Sequence, residues 1–143
     1  MKNKAVSYEY ISFIIDLLAQ RVKQDYDYII GIGRGGLIPA TMLAYKLKKK
    51  VITFGIATYN ETHQSDNYFI YQEPVLQKDL KYLVIDDICD TGNTFEIFEK
   101  RYSRKDYNYE FASLFARDSK VDLVDYYGFS VPEGVWLDFE YES

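Results

Sequence analysis

Cysteine is nearly absent. Cys89 is the only one among 143 residues, so no internal disulfide can form and no Cys-x-x-Cys or Cys/His metal spacing exists. Histidine is as scarce, with His63 alone. No stretch approaches the roughly 20 apolar residues that a membrane helix needs. The apolar segment Ile11 to Leu18 is interrupted by Ser12 and Asp16, which argues against a signal peptide. Basic charge is in deficit: 17 Lys and Arg stand against 22 Asp and Glu, giving a net charge of −5 and a pI near 4.9. Nucleic-acid binders usually carry a basic excess or stripe. The one basic cluster, Lys46, Lys48, Lys49 and Lys50, falls where a helix ends and complements its dipole. These deficits set the expectation of a cytoplasmic protein with neither nucleic acid nor membrane as partner.

What remains is an ordinary globular composition, 48% hydrophobic and 27% charged, of a length suited to one domain spanning 1–143. The 15 Tyr and 9 Phe carry no functional reading by themselves. Apolar spacing predicts a helix over 7–24, with Ser7 as N-cap. Tyr26 to Ile32 is a short apolar run ending in glycines and predicts a buried strand. Leu37 to Leu47 predicts a helix with Pro39 in its first turn, where proline is tolerated. Strands are expected at Val51–Ile56, Lys81–Ile85 and Tyr109–Phe115, a helix at Phe95–Tyr102, and short strands at Tyr126–Val131 and Val135–Phe139 in an otherwise irregular tail. Residues 57–78 read as a long loop with room for a hairpin. Strands alternating with helices predict an α/β fold, a doubly wound and mostly parallel sheet. In such sheets ligands bind beyond the carboxyl ends of the strands. Both unusual segments, Gly31–Gly36 and Asp86–Thr94, fall there.

The second segment runs from an apolar strand through Asp86-Asp87-Ile88-Cys89-Asp90-Thr91-Gly92-Asn93-Thr94 into a helix. Free N–H groups and the positive dipole end at a helix start make a phosphate cradle, and the two Thr hydroxyls add donors. Asp86, Asp87 and Asp90 place three carboxylates beside that cradle. A helix cap needs one such residue. Carboxylates beside a phosphate are unfavourable unless hydroxyls or a cation intervene, and a phosphorylated sugar with Mg²⁺ supplies both.

This segment resembles the motif by which type I phosphoribosyltransferases bind 5-phosphoribosyl-1-pyrophosphate (PRPP). The resemblance implies that Asp86 and Asp87 hold the ribose hydroxyls, that Asp87 lies nearest the Mg²⁺, and that residues 90–94 hold the 5′-phosphate. It implies that Asp90 is the catalytic base toward N7 of a purine. Asn93 stands where the family often has glycine.

The first segment, Gly31-Ile32-Gly33-Arg34-Gly35-Gly36, matches G-x-G-x-x-G, the dinucleotide fingerprint. That motif requires an acid at the end of the next strand, where Ile56, Ala57 and Thr58 stand instead. A pyrophosphate loop accounts better for Arg34, since glycines let the backbone approach an anion and Arg adds a bidentate cation. Arg34-Gly35-Gly36-Leu37-Ile38-Pro39 is similar to the pyrophosphate loop of the purine phosphoribosyltransferases, the bacterial xanthine-guanine enzymes above all. There the loop often carries a non-proline cis peptide.

The resemblance extends from about residue 28 to the C-terminus. Phe115-Ala116-Arg117 matches a strand end where the family's Lys contacts the purine's exocyclic oxygen. Arg117 is larger, planar and always charged, so the identity of the base stays open. Trp136 and Asp138 fall where the family has a Trp and an acid of a small C-terminal hood. Trp136 either stacks on the base or pins the tail as a core residue; Asp138 either accepts from purine N–H groups or is simply exposed. Residues 57–70 correspond to the family's mobile loop, with Thr58-Tyr59-Asn60 echoing its Ser-Tyr pair and His63 a solvated loop residue. Such a lid excludes water. The resemblance also implies a homo-oligomer, dimer or tetramer. Rival readings are a PRPP-binding regulator without catalysis and a phosphoribosyltransferase for another base.

Overall fold

The computed structural model describes residues 2–58 and 67–143. Tyr59, Asn60 and His63 lie outside the described residues. The chain begins with strand β1 (Lys2–Val6) and helix α1 (Tyr8–Arg21), followed by β2 (Tyr28–Ile32), α2 (Leu37–Leu47), β3 (Lys50–Thr58) and β4 (Tyr68–Gln72). Then come β5 (Lys81–Cys89), α3 (Asn93–Arg101), β6 (Asn108–Arg117), a 3₁₀ turn (Asp118–Leu123), β7 (Tyr126–Val131), β8 (Val135–Phe139) and a second 3₁₀ turn (Glu140–Glu142). Six strands form one sheet in the order β4-β3-β2-β5-β6-β7, and β1 pairs with β8 in a separate two-stranded sheet. The large sheet is parallel throughout except for β4, which pairs antiparallel with β3.

Local chemistry explains the elements. The Ser7 hydroxyl accepts from the Tyr10 N–H at 3.0 Å and caps α1, whose Ile11, Ile14, Ile15 and Leu18 form one buried face. That face and α2 cover one side of the sheet against Ile29, Leu83, Ile85 and Leu114. Helix α3 covers the other side with Phe95, Ile97 and Phe98 packed on Phe54, Val84 and Phe111. β2 and β5, covered on both faces, are nearly continuous apolar runs, as buried parallel strands are. Lys48 caps α2 in the left-handed conformation at φ 58°. Of the basic cluster beside it, Lys46 pairs with Asp16 and Lys49 with Asp25.

Three expectations change. β5 does not end at Ile85: it runs on to Cys89, because β6 continues alongside with Asp86 opposite Ser113, Ile88 opposite Phe115 and Cys89 opposite Ala116. The long loop, with room for a hairpin, contains the strand β4, which pairs antiparallel with β3. β1 is an element the sequence did not announce. Its residues are exposed except Val6, and its partner β8 lies at the far end of the chain.

Candidate active site

Loop 33–36 joins β2 to α2. The peptide bonds there are all trans, in contrast to the cis bond that the resemblance suggested; Gly33, at φ 61°, turns the chain without one. The N–H groups of Arg34 and Gly35 donate to nothing among the described residues, and Gly36 caps α2 with no side chain. The Arg34 side chain is exposed. Two N–H donors and an exposed guanidinium at a helix start form an anion site.

The end of β5 faces this loop. The Gly35 backbone is so close to Asp87 that a Cβ at position 35 would fall 2.6 Å from its Oδ2. Asp87 Oδ1 accepts from its neighbour Ile88 N–H at 2.7 Å, and Oδ2 accepts from the Tyr141 hydroxyl at 2.7 Å. Asp86 is buried; it accepts from the Asp87 N–H at 2.8 Å and from the Thr94 hydroxyl at 3.2 Å. Burial, and then the charge of Asp87 beside it, holds the Asp86 carboxyl well above the usual carboxylate range. Burial and Asp87 likewise raise the Glu142 carboxyl. Arg34, Gly35, Asp86, Asp87, Thr94, Tyr141 and Glu142 line one cavity of about 860 Å³, together with Thr58 at the end of β3 and Tyr71 on β4.

The strain on Asp86 is open to test. A carboxyl with a raised folded-state pKa contributes stability that is full below the unfolded value of about 3.9 and is lost as pH rises through the folded one. Asp86→Asn keeps an acceptor for the Asp87 N–H and never ionises. It is expected to stabilise the ligand-free protein by about 1–2 kcal/mol at pH 8 and by nothing near pH 3. Melting temperatures of both proteins across that range measure it, and a gain that is the same at both ends would refute the cause.

At the start of α3, Gly92 takes φ 85°, a conformation that costs a Cβ-bearing residue dearly, and leaves no side-chain cap. The Asn93 N–H is taken by the Thr91 hydroxyl at 3.2 Å, while those of Thr94 and Phe95 remain unbonded among the described residues. Asn93 is the first residue of the helix and its φ is not positive, so the backbone does not require glycine there.

Asp90 follows β5 directly and lies across from Arg117, the last residue of β6. Arg117 Nε donates to Asp90 Oδ1 at 2.8 Å, and one terminal nitrogen donates to the carbonyls of Pro132 at 2.9 Å and Val135 at 2.6 Å. Arg117 is buried, and it staples the acid to the turn that leads into β8. Only its second terminal nitrogen is left without a bond among the described residues. Trp136 is not a core residue. It is 52% exposed and shares the outer face of β8 with Asp138, while Leu137 and Phe139 point into the core. Thus Arg34, Gly35, Asp86, Asp87 and Thr94 are brought together in one cavity, and Asp90 and Arg117 form a pair just beyond the end of β5 that is tied to the turn before Trp136. Neither Tyr141 nor Glu142 carries a sequence mark; among 15 tyrosines nothing singles one out. Cys89 is buried and packs beside Phe95 and Ala116; burial pushes its thiol up to about 11.

The fold has counterparts among known proteins. The xanthine-guanine phosphoribosyltransferase of Idiomarina loihiensis is 28% identical over 121 residues, which cover 83% of this chain and 73% of that one. The crystal structure of a purine phosphoribosyltransferase from Pyrococcus horikoshii superposes with a TM-score of 0.86 at 25% identity, over all of this chain and 96% of that one. The xanthine-guanine-hypoxanthine phosphoribosyltransferase of Helicobacter pylori gives 0.80 at 26% identity, over 98% and 94%. Among the described residues no helix is long and apolar enough to cross a membrane. The family model for the phosphoribosyl transferase domain matches residues 7–141, which takes in loop 33–36, the acids of β5, the start of α3 and the chain as far as Tyr141, and the chain therefore belongs to that family.

Proposed function

We propose that the protein transfers the 5-phosphoribosyl group of PRPP to a purine base of the guanine, xanthine or hypoxanthine class, releasing diphosphate and a nucleoside monophosphate. The observation that carries this reading is the cavity in which a cationic glycine loop, two β5 carboxylates and a helix start converge. A sugar bearing phosphate at both ends needs that combination. The 28% identical relative named for xanthine and guanine supports the base class.

In this reading the N–H groups of Arg34 and Gly35 and the Arg34 guanidinium hold the diphosphate. Thr91, Gly92, Asn93 and Thr94 hold the 5′-phosphate through the open start of α3. Asp86 and Asp87 accept from the ribose hydroxyls and lie close enough to favour positive charge developing at the sugar. Asp90 takes the proton that the attacking base must lose. Trp136 offers a half-exposed ring for stacking, worth roughly 1–3 kcal/mol, and Asp138 a carboxylate to purine N–H groups. Arg117 has one terminal nitrogen to spare for the base, since its other donors are engaged in the protein.

The residues fit a magnesium ion. Burial first, and then the charge of the adjacent Asp87, hold the Asp86 carboxyl above the usual range, and a cation beside the two carboxylates would offset the second of these. Among the described residues no cluster of three or more His, Cys, Asp or Glu side chains could hold a metal. An ion at Asp87 would share its ligands with substrate phosphate, as Mg²⁺ commonly does. When bound, Mg²⁺ would neutralise charge on the departing diphosphate. A homo-oligomer, dimer or tetramer, is supported by family resemblance alone, and light scattering would measure it.

Incubation of PRPP and Mg²⁺ with guanine, xanthine, hypoxanthine, adenine and uracil in parallel tests the reading. Turnover of at least one 6-oxopurine is expected. PRPP binding with no turnover of any base would replace the enzyme by a PRPP-binding regulator; turnover of uracil alone would move the base class.

A further inference from the structure

Tyr141 lies where loop 33–36 meets the end of β5. Its hydroxyl donates to Asp87 Oδ2 at 2.7 Å and is 3.3 Å from the Gly35 carbonyl oxygen. A phenol has one hydrogen, and the shorter, charge-assisted bond takes it. Asp87 is then gripped at both oxygens, Oδ1 by the Ile88 N–H and Oδ2 by Tyr141, so its carboxylate cannot rotate without losing a bond. The tyrosine ring is itself fixed. It stacks on Phe139 at 5.3 Å and leans on Tyr8 at 6.5 Å, while Glu140 accepts from the Tyr8 N–H at 2.8 Å. The C-terminal turn is thereby tied to the start of α1, and the hydroxyl reaches Asp87 from a rigid base.

We propose that Tyr141 is a positioning residue: its hydroxyl sets the orientation of the Asp87 carboxylate, and so determines which lone pairs face the cavity to receive the magnesium-bound diphosphate of PRPP. The proposal rests on the phosphoribosyltransferase reading and adds to it a residue of the C-terminal turn. Partners of this kind, one bond removed from a metal, typically matter ten- to a hundredfold to its binding.

Tyr141→Phe keeps the ring and its packing and removes only the oxygen. Calorimetric titration with diphosphate, with and without Mg²⁺, separates the two contributions. Mg²⁺–diphosphate is expected to bind about tenfold more weakly to the variant, while metal-free diphosphate, held by Arg34 and its loop, binds both proteins equally. KM for PRPP should rise by a similar factor with kcat within about threefold of the parent. In an Asp87→Ala background the same change should cost nothing further. Equal affinity of parent and Tyr141→Phe for Mg²⁺–diphosphate, or a parallel loss with and without the metal, would overturn the proposal. A parent protein that binds no Mg²⁺–diphosphate at all would sink the family reading and this one with it.

Discussion

Asp90→Asn is expected to lower kcat with the preferred base by roughly 10²- to 10⁴-fold, the usual contribution of a general base. The geometry favours that role for this acid over its neighbours. Asp86 is buried and already accepts from two donors, and Asp87 is gripped at both oxygens. Among the described residues Asp90 has one oxygen bonded, to Arg117 Nε, and its side chain is 35% exposed, which leaves Oδ2 to take a proton. The substitution has a second effect. It removes the counter-charge of a guanidinium whose side chain is 9% exposed, and breaking a buried pair at one end costs up to about 3–5 kcal/mol. The partial exposure of Asp90 lets water screen the loss, so about 1–3 kcal/mol is expected. Activity must therefore be read well below the melting temperature of the variant, with PRPP binding checked to be intact. The double change Asp90→Asn with Arg117→Met removes the unpaired charge but also the donor to the Pro132 and Val135 carbonyls, and should recover none of the turnover. A single variant that retains the kcat of the parent would take Asp90 out of proton transfer.

Most of the fold was legible because its signals are local. Helix α2 was read at both ends from Pro39 in its first turn and the apolar spacing to Leu47. The strands β2 and β5 were read from apolar runs ending in glycine and in acid. β5 is expected to end at Ile85, where its apolar run stops and acids begin; what keeps Asp86 and Asp87 extended is the ladder with β6, a partner no window of sequence contains. β1 failed for the same reason in stronger form, since Lys2–Val6 has little apolar pattern and its pairing spans almost the whole chain.

The two loops of the site were legible because glycine, small hydroxyl residues and carboxylates at a strand–helix junction have few other uses. The connections between them were not. That Arg117 is stapled to Asp90, Pro132 and Val135, and is thus mostly unavailable to a base, depends on how β6 meets the turn after β7. That Tyr141 bonds to Asp87 depends on the C-terminal turn folding back over the cavity. Side-chain partners separated by 27 and 54 positions leave no trace in spacing. The structure also decides what the sequence left open at Trp136, whose ring is half exposed on the outer face of β8 and not buried under the tail.

The contact between loop 33–36 and Asp87 leads to the second large effect. Gly35→Ala is expected to lower kcat/KM for PRPP about a hundredfold. The added Cβ would lie 2.6 Å from Asp87 Oδ2 and 2.8 Å from both Cγ and Oδ1, closer than atoms tolerate. A long, free side chain would swing aside at little cost. Asp87 is short and is held by the Ile88 N–H and by Tyr141, so relief requires a shift of the carboxylate, of the loop, or of both. Each shift moves a group assigned to the diphosphate or its cation, and a displacement near 1 Å is enough to cost about 10²-fold. The fold itself should lose little, about 1–3 kcal/mol for a local overpacking, because the clash is confined to the loop and one side chain and leaves Gly36, packed on the ends of β2 and β5, untouched. Nucleoside monophosphate product lacks the diphosphate but meets Asp87 through its ribose hydroxyls, so it should lose some affinity for the variant, and diphosphate far more. Steady-state kinetics with PRPP and titrations with both products measure this. Full activity in Gly35→Ala would mean that the loop moves away from Asp87 when substrate binds, and the contact between the two would then belong to the empty site alone.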